Sequence, residues 1–254
     1  MTNILKVCID KVLPSELRDE AQRQAIQENP ANLPSPPLPG EPAPPVSIAV
    51  LKNKLWAPGR TLRVRFLGGD ATLQKRVKDK AMEWLKYANI NFDFGNHAQA
   101  EIRITFDRPG SWSWMGTDAL MIKDQNEPTM NYGWLTATSA DEEVSRVVLH
   151  EFGHALGCIH EHQHPERAFQ WDVDAVMKYY TGPPNNWTPA EVKFNVLDRY
   201  SAEVTNASKF DPHSIMLYPV PQAFTVGDYE IPWSNSVLSE TDKTFIRTQY
   251  PASS

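Results

Sequence analysis

The stretch His150-Glu151-Phe152-Gly153-His154-Ala155-Leu156-Gly157-Cys158-Ile159-His160-Glu161 reads H-E-x-x-H-x-x-G-x-x-H-E. On a helix, residues four apart share a face, so His150 and His154 can grip one metal ion together. Glu151, beside the first imidazole, can reach a metal-activated water as general base. Gly157 lets the chain leave the helix through a left-handed turn, which glycine enters cheaply. That turn swings His160 back as a third ligand. Three protein ligands leave the fourth position of a zinc site open, which marks a catalytic site rather than a structural one. A bare H-E-x-x-H can arise by chance. The longer run needs three imidazoles, a carboxylate and a glycine to fall into place together.

Upstream of the run, Val144, Val147, Val148, Phe152 and Ala155 supply the buried side of a helix. Ser139 and Glu142 fit a capping box at its start. Before it, Thr61–Leu67 and Glu101–Phe106 alternate polar and apolar residues and predict strands. Ala119–Ile122 and Thr129–Trp134 are shorter strand candidates. Leu73, Val77, Ala81, Trp84, Leu85 and Ala88 recur at a helical period over residues 71–89. Past His160 the chain is proline-punctuated and irregular until a final helix, Ser239–Thr248. His162 and His164 read as a solvated loop beside Pro165. Cys158 reads as packing.

A metal helix needs a floor, and far downstream lies Ser214-Ile215-Met216-Leu217-Tyr218. Taken alone, Met216 is a core methionine and Tyr218 a packed aromatic. Together with the first motif they resemble the metzincin signature, a long histidine run followed by a methionine turn. Glu161 directly after the third histidine, and S-x-M-x-Y at the turn, narrow the resemblance to the astacin-like metallopeptidases. Trp56–Arg60 and Ser113–Gly116 are similar to that family's sequences too. The likeness covers residues 46–254, most strongly 147–164 and 211–218.

The resemblance implies an α+β metzincin fold: a twisted, mostly parallel sheet, backing and active-site helices, and an irregular C-terminal subdomain. It implies a zinc endopeptidase with His150, His154 and His160 on the metal and Glu151 as general base. Met216 would form the apolar base beneath the metal. Tyr218 would be a switchable extra ligand that later steadies the oxyanion. Glu161 helps anchor the mature N-terminus in that family. Thr129, Met130, Asn131, Tyr132, Gly133 and Trp134 would be the edge strand that pairs with an extended substrate. The family's secretion and disulfides do not carry over from the sequence.

Composition is that of an ordinary globular chain, 254 residues with 41% hydrophobic and 22% charged, so a sizeable core can form. A net charge of -6 gives no reason to expect nucleic acid or an anionic membrane as partner. No run of about 18 apolar residues suggests a spanning helix. The expected partner is a protein or peptide substrate, met by a monomer. The N-terminal residues lack the apolar core of a secretory leader. Two cysteines, Cys8 and Cys158, build no disulfide framework. Both features predict a cytoplasmic or non-classically exported protein.

The clearest boundary is residues 30–45, with eight prolines in sixteen positions. Such a stretch reads as a semi-rigid polyproline spacer, unable to pack as helix or sheet. It separates an N-terminal extension, 1–45, from a catalytic domain, 46–254, divided into 46–157 and 158–254. The extension reads as a short strand, Leu5–Ile9, and a helix, Ser15–Gln27, capped by Ser15. Cys8 is a candidate latch, since a thiolate is a good zinc ligand and the spacer has the reach to fold back. Cutting near Val46–Ile48 would release it. Asp10 is a second candidate blocker. Equally, Cys8 reads as a small apolar residue in an added strand or an inert thiol. Two other readings stay open: a zinc hydrolase acting on another amide, and a binding protein without turnover.

Overall fold

The computed structural model describes residues 8–9, 11–33, 54–164, 166–183, 185–198, 209–231 and 235–252. Five strands form one sheet in the order β2-β1-β3-β5-β4. They are β1 (Thr61–Phe66), β2 (Asn91–Phe94), β3 (Ile102–Thr105), β4 (Ser111–Ser113) and β5 (Met130–Tyr132). All neighbours are parallel except β4, which runs antiparallel to β5.

Six α-helices are described: α1 (Arg18–Glu28), α2 (Ala71–Ala81), α3 (Asp141–Ala155), α4 (Val173–Thr181), α5 (Pro189–Val192) and α6 (Glu240–Gln249). The sheet and the inner faces of α2 and α3 share one apolar core that includes Leu62, Val64, Ile102, Ile104, Val77, Val144, Val148 and Phe152. A second, aromatic-rich core gathers Phe169, Trp171, Tyr180, Val220 and Phe224 from the chain beyond the third histidine. The chain is therefore α+β, as its sequence predicted, with the sheet on one side of the histidine run and the aromatic core on the other.

Several local expectations need correcting. β5 is not an edge strand: it is flanked by β3 and β4. The edge on that side of the sheet is β4, a three-residue strand too short to show alternation. Ala119–Ile122 does not form a strand, because Gly116–Met121 closes into a 3₁₀ helix. The expected capping box of the metal helix is absent. Ala140 holds the N-cap position without a side-chain bond, and the Ser139 hydroxyl accepts from Thr136 N instead. Three acidic residues in the first turn, Asp141, Glu142 and Glu143, favour the same helix end through its dipole. Ser15 does not cap α1. It opens a 3₁₀ turn, Ser15–Leu17, that precedes the helix.

The glycine pair after β1 serves a turn into α2. Asp70 caps that helix by accepting from Thr72 N and Leu73 N. Ser239 and Asp242 form a reciprocal capping box on α6. The proline-rich stretch begins differently from expectation: Pro30–Asn32 is a 3₁₀ turn packed on the body, with Asn32 buried. The rest of the spacer, the cut position near Val46–Ile48, Asp10 and most of the expected first strand lie outside the described residues.

Candidate metal centre

α3 carries His150 and His154 one turn apart on its buried face. Gly157 leaves the helix with φ +92, its amide bonded to His154 O, and the chain turns back to present His160. The three Nε2 atoms form a triangle with sides of 3.2, 3.0 and 3.2 Å. A tetrahedral ion with Zn–N bonds near 2.05 Å would set its ligand nitrogens about 3.3 Å apart. The triangle is therefore metal-sized.

The outer nitrogens fix the tautomers. His150 Nδ1 donates to Ile215 O and His154 Nδ1 to Cys158 O, both at 2.8 Å. With Nδ1 protonated, each Nε2 lone pair faces the centre of the triangle. Burial, and then the neighbouring imidazoles, hold His150 and His160 well below the usual histidine range. Neutral imidazole is the form that binds a metal. On these grounds the residues fit zinc.

Glu151 is buried beside the triangle. Cys8 comes to the same place from the other end of the chain. Its Sγ and the ligand nitrogens of His150, His154 and His160 all lie within 4.8 Å of one another. The thiol donates to Glu151 Oε2 at 3.1 Å. Tyr218 packs its ring on His150 and His160; its hydroxyl meets His160 Nε2 and donates to Cys8 O at 3.1 Å. Cys8 also makes a parallel bridge to Ser111 of β4, and Ile9 N donates to Ser111 O. The N-terminal segment thus lies along the sheet edge with its thiol on the histidines.

Met216 is buried below α3, its sulfur facing Gly153. Its carbonyl accepts from Glu161 N. The Glu161 carboxylate accepts from Asp211 N at 2.7 Å, and burial pushes its pKa up to about 7. Its partner in this structure is therefore the loop before the methionine turn. Cys158 has an inert thiol, its pKa driven upward by burial, and contributes through its carbonyl. Sequence reasoning could not find the Ile215 and Cys158 carbonyls, since every residue carries one.

His162 and His164 are corrected: neither is solvated. His162 stacks on His160 and Tyr218 and bonds Asn195 O, and His164 packs near Phe210. The proline beside them suggested an exposed loop, but the aromatic core encloses it.

The family model for the astacin peptidases matches residues 50–231. The chain belongs to the astacin family. Among solved structures, one of myroilysin is 45% identical, covering 79% of this chain and 97% of that chain with a TM-score of 0.75. A crystal structure of myroilysin is 41% identical, covering 88% and 96%, with a TM-score of 0.63. High choriolytic enzyme 1, a hatching enzyme zinc-protease from the medaka fish Oryzias latipes, is 18% identical over 74% and 88%, with a TM-score of 0.49. No curated protein sequence matches significantly.

As an astacin-family peptidase the chain is a zinc metalloendopeptidase, and its substrates are proteins or peptides. Family membership overturns the expected cytoplasmic location, because astacin-family proteases are secreted extracellular enzymes. Among the described residues, no helix is long and apolar enough to cross a membrane.

Proposed function

We propose that this astacin-family endopeptidase is folded as a zymogen, with Cys8 on the open position of its metal centre and residues 1–45 as the prosegment. The observation that carries the proposal is the grouping of Cys8 Sγ with the three imidazole nitrogens, 3.1 Å from Glu151 Oε2. The thiol stands where a water would have to stand to meet both the metal and the general base. His150, His154 and His160 hold the ion, and the catalytic domain runs over 46–254.

Zinc in this site supplies polarisation of the scissile carbonyl and lowers the pKa of a water towards neutrality. Glu151 takes the proton of that water as it attacks and passes it to the leaving amine. The Tyr218 hydroxyl, already a donor towards the cleft, turns from Cys8 O to the developing oxyanion. An extended substrate pairs with β4, the edge on which Cys8 and Ile9 now lie. The enzyme works as a monomer without a nucleic-acid or membrane partner, a reading that the net charge of -6 supports.

The test is cleavage of a denatured generic protein by full-length wild type, Cys8→Ala and Glu151→Ala. Cys8→Ala should cleave without any processing, while wild type stays slow. Glu151→Ala should bind zinc and lose nearly all activity, even when combined with Cys8→Ala. No gain from Cys8→Ala would remove the thiol latch, and an active Glu151→Ala would remove the general base.

A further inference from the structure

The N-terminal segment meets the body at a second place, built from residues other than the thiol. Asn32, fully buried, spreads its amide across the backbone of Leu55: Leu55 N donates to Asn32 Oδ1 at 3.0 Å and Asn32 Nδ2 donates to Leu55 O at 2.8 Å. This is the pairing a neighbouring strand would offer, made by one side chain. Asn29 Nδ2 donates to Trp56 O at 2.9 Å. Glu28 Oε1 accepts from Ala57 N at 3.3 Å and lies 3.7 Å from Arg60 Nε. Below these contacts Leu13 and Ala21 pack on Met121, flanked by Leu17 and Trp114.

Both halves of this clasp are organised within themselves. Asn32 is oriented by its own segment, through Nδ2 to Ala25 O and through its carbonyl from Gln22 Nε2. Asn29 Oδ1 caps the 3₁₀ turn by accepting from Ala31 N, and Pro30 fixes its first residue. On the body, Trp56 Nε1 donates to Ala155 O at the end of α3, and Trp56 N donates to the Tyr250 hydroxyl, which in turn donates to Leu156 O. These internal bonds brace both faces of the clasp and lower the ordering cost of holding them together.

We infer that the N-terminal segment stays on the enzyme as a non-covalent inhibitory subunit after the chain is cut between residues 33 and 54, held by the Asn29–Asn32 clasp on Leu55–Ala57. The inference rests on the zymogen reading for its inhibitory effect, but not for retention. Cutting the connection only replaces a tethered, millimolar-range local concentration with the free one. Activation therefore has a second step, the loss or destruction of the segment.

The experiment inserts a site-specific protease sequence after Gly40 in the full-length zinc-loaded chain, cuts it, and follows both fragments by gel filtration and by cleavage of a denatured protein. The expected result is co-elution of the two pieces at micromolar protein, with activity still low. Asn32→Ala in the same chain should weaken retention about 10- to 100-fold, because two half-buried backbone groups of Leu55 lose their partner together, and activity should rise after the cut. Glu28→Ala, at the more exposed end of the clasp, should give a smaller weakening and serves if Asn32→Ala does not fold. Separation of the wild-type pieces on cutting would overturn the inference. In the cut Cys8→Ala chain, continued co-elution with activity present supports the clasp, whereas loss of co-elution would assign retention to the thiol and overturn it. A failure of the zymogen reading shows elsewhere, as an uncut Cys8→Ala chain with no gain in activity.

Discussion

Gly153, between Glu151 and His154, has helical backbone, so nothing about its dihedrals demands glycine. Its surroundings do. A Cβ there would collide with Met216 Sδ and lie 3.2 Å from Trp84 Cζ2. Trp84 cannot yield, since it is buried and its indole N–H is engaged with Leu149 O. The Met216 side chain would have to swing aside and press on the turn whose Ile215 carbonyl orients His150. Gly153→Ala should therefore cost about 1–3 kcal/mol by overpacking, or roughly 2–12 °C in melting temperature for a chain of this size. Calorimetry with and without zinc checks it, and an unshifted melt would mean the turn has slack. The histidines, Glu151 and Gly157 were legible because spacing on a helix is written in the sequence. The need for glycine at 153 was not, because its cause is a sulfur atom brought there from residue 216.

Among the elements, α6 acts on the site from a distance. Asp242 closes its capping box by accepting from Ser239 N, and the same carboxylate accepts from Ser214 Oγ at 2.7 Å and Ile215 N at 2.8 Å. One side chain thus joins a helix start to the methionine turn, and through Ile215 O to His150. Asp242→Ala would strand three buried or half-buried donors at once and should cost about 3 kcal/mol or more. Asp242→Asn can keep two acceptor bonds and turn the third around, so it should recover most of that loss. Burial raises the Asp242 pKa, against the opposing bonds from Ile215, Ser214 and Ser239. A raised folded-state pKa means the native state holds its proton longer than the unfolded chain. Stability from this residue then falls as the pH climbs from the ordinary carboxylate value through the raised one. Asp242→Asn should lack that fall, and denaturant melts of both proteins over this range would show parallel pH profiles if the assignment is wrong. The α6 cap was readable from Ser239 and Asp242. Its second task was not, and neither was β4: three residues carry no period, so the edge was placed one strand too far inward.

At the scale of the molecule, the candidate metal centre lies between the sheet core and the aromatic core, with two of its imidazoles on α3 and one on the turn beyond it. The sequence disclosed the fold class because two short motifs, 147–164 and 211–218, specify one architecture between them. It offered the return of Cys8 to the cleft as one of two readings but not the second contact of the N-terminal segment, since a side chain such as Asn32 announces nothing until its partner Leu55 is beside it. Neither Cys8 nor Cys158 forms a disulfide, so no disulfide ties the two cores. A zinc ion held by the three imidazoles would be a cross-link at the seam between them. A ligand that binds only the folded state stabilises it by RT ln(1 + [L]/Kd), about 4 kcal/mol at a thousandfold excess over Kd. Stripping zinc with a chelator should lower the melting temperature by roughly 8–16 °C on that basis. It should also do so more slowly in wild type than in Cys8→Ala, because the thiol over the three imidazoles blocks the face by which a chelator must approach. Equal stripping rates would place Cys8 off the metal in solution. A melt indifferent to chelation would mean that packing alone holds the histidine triangle together.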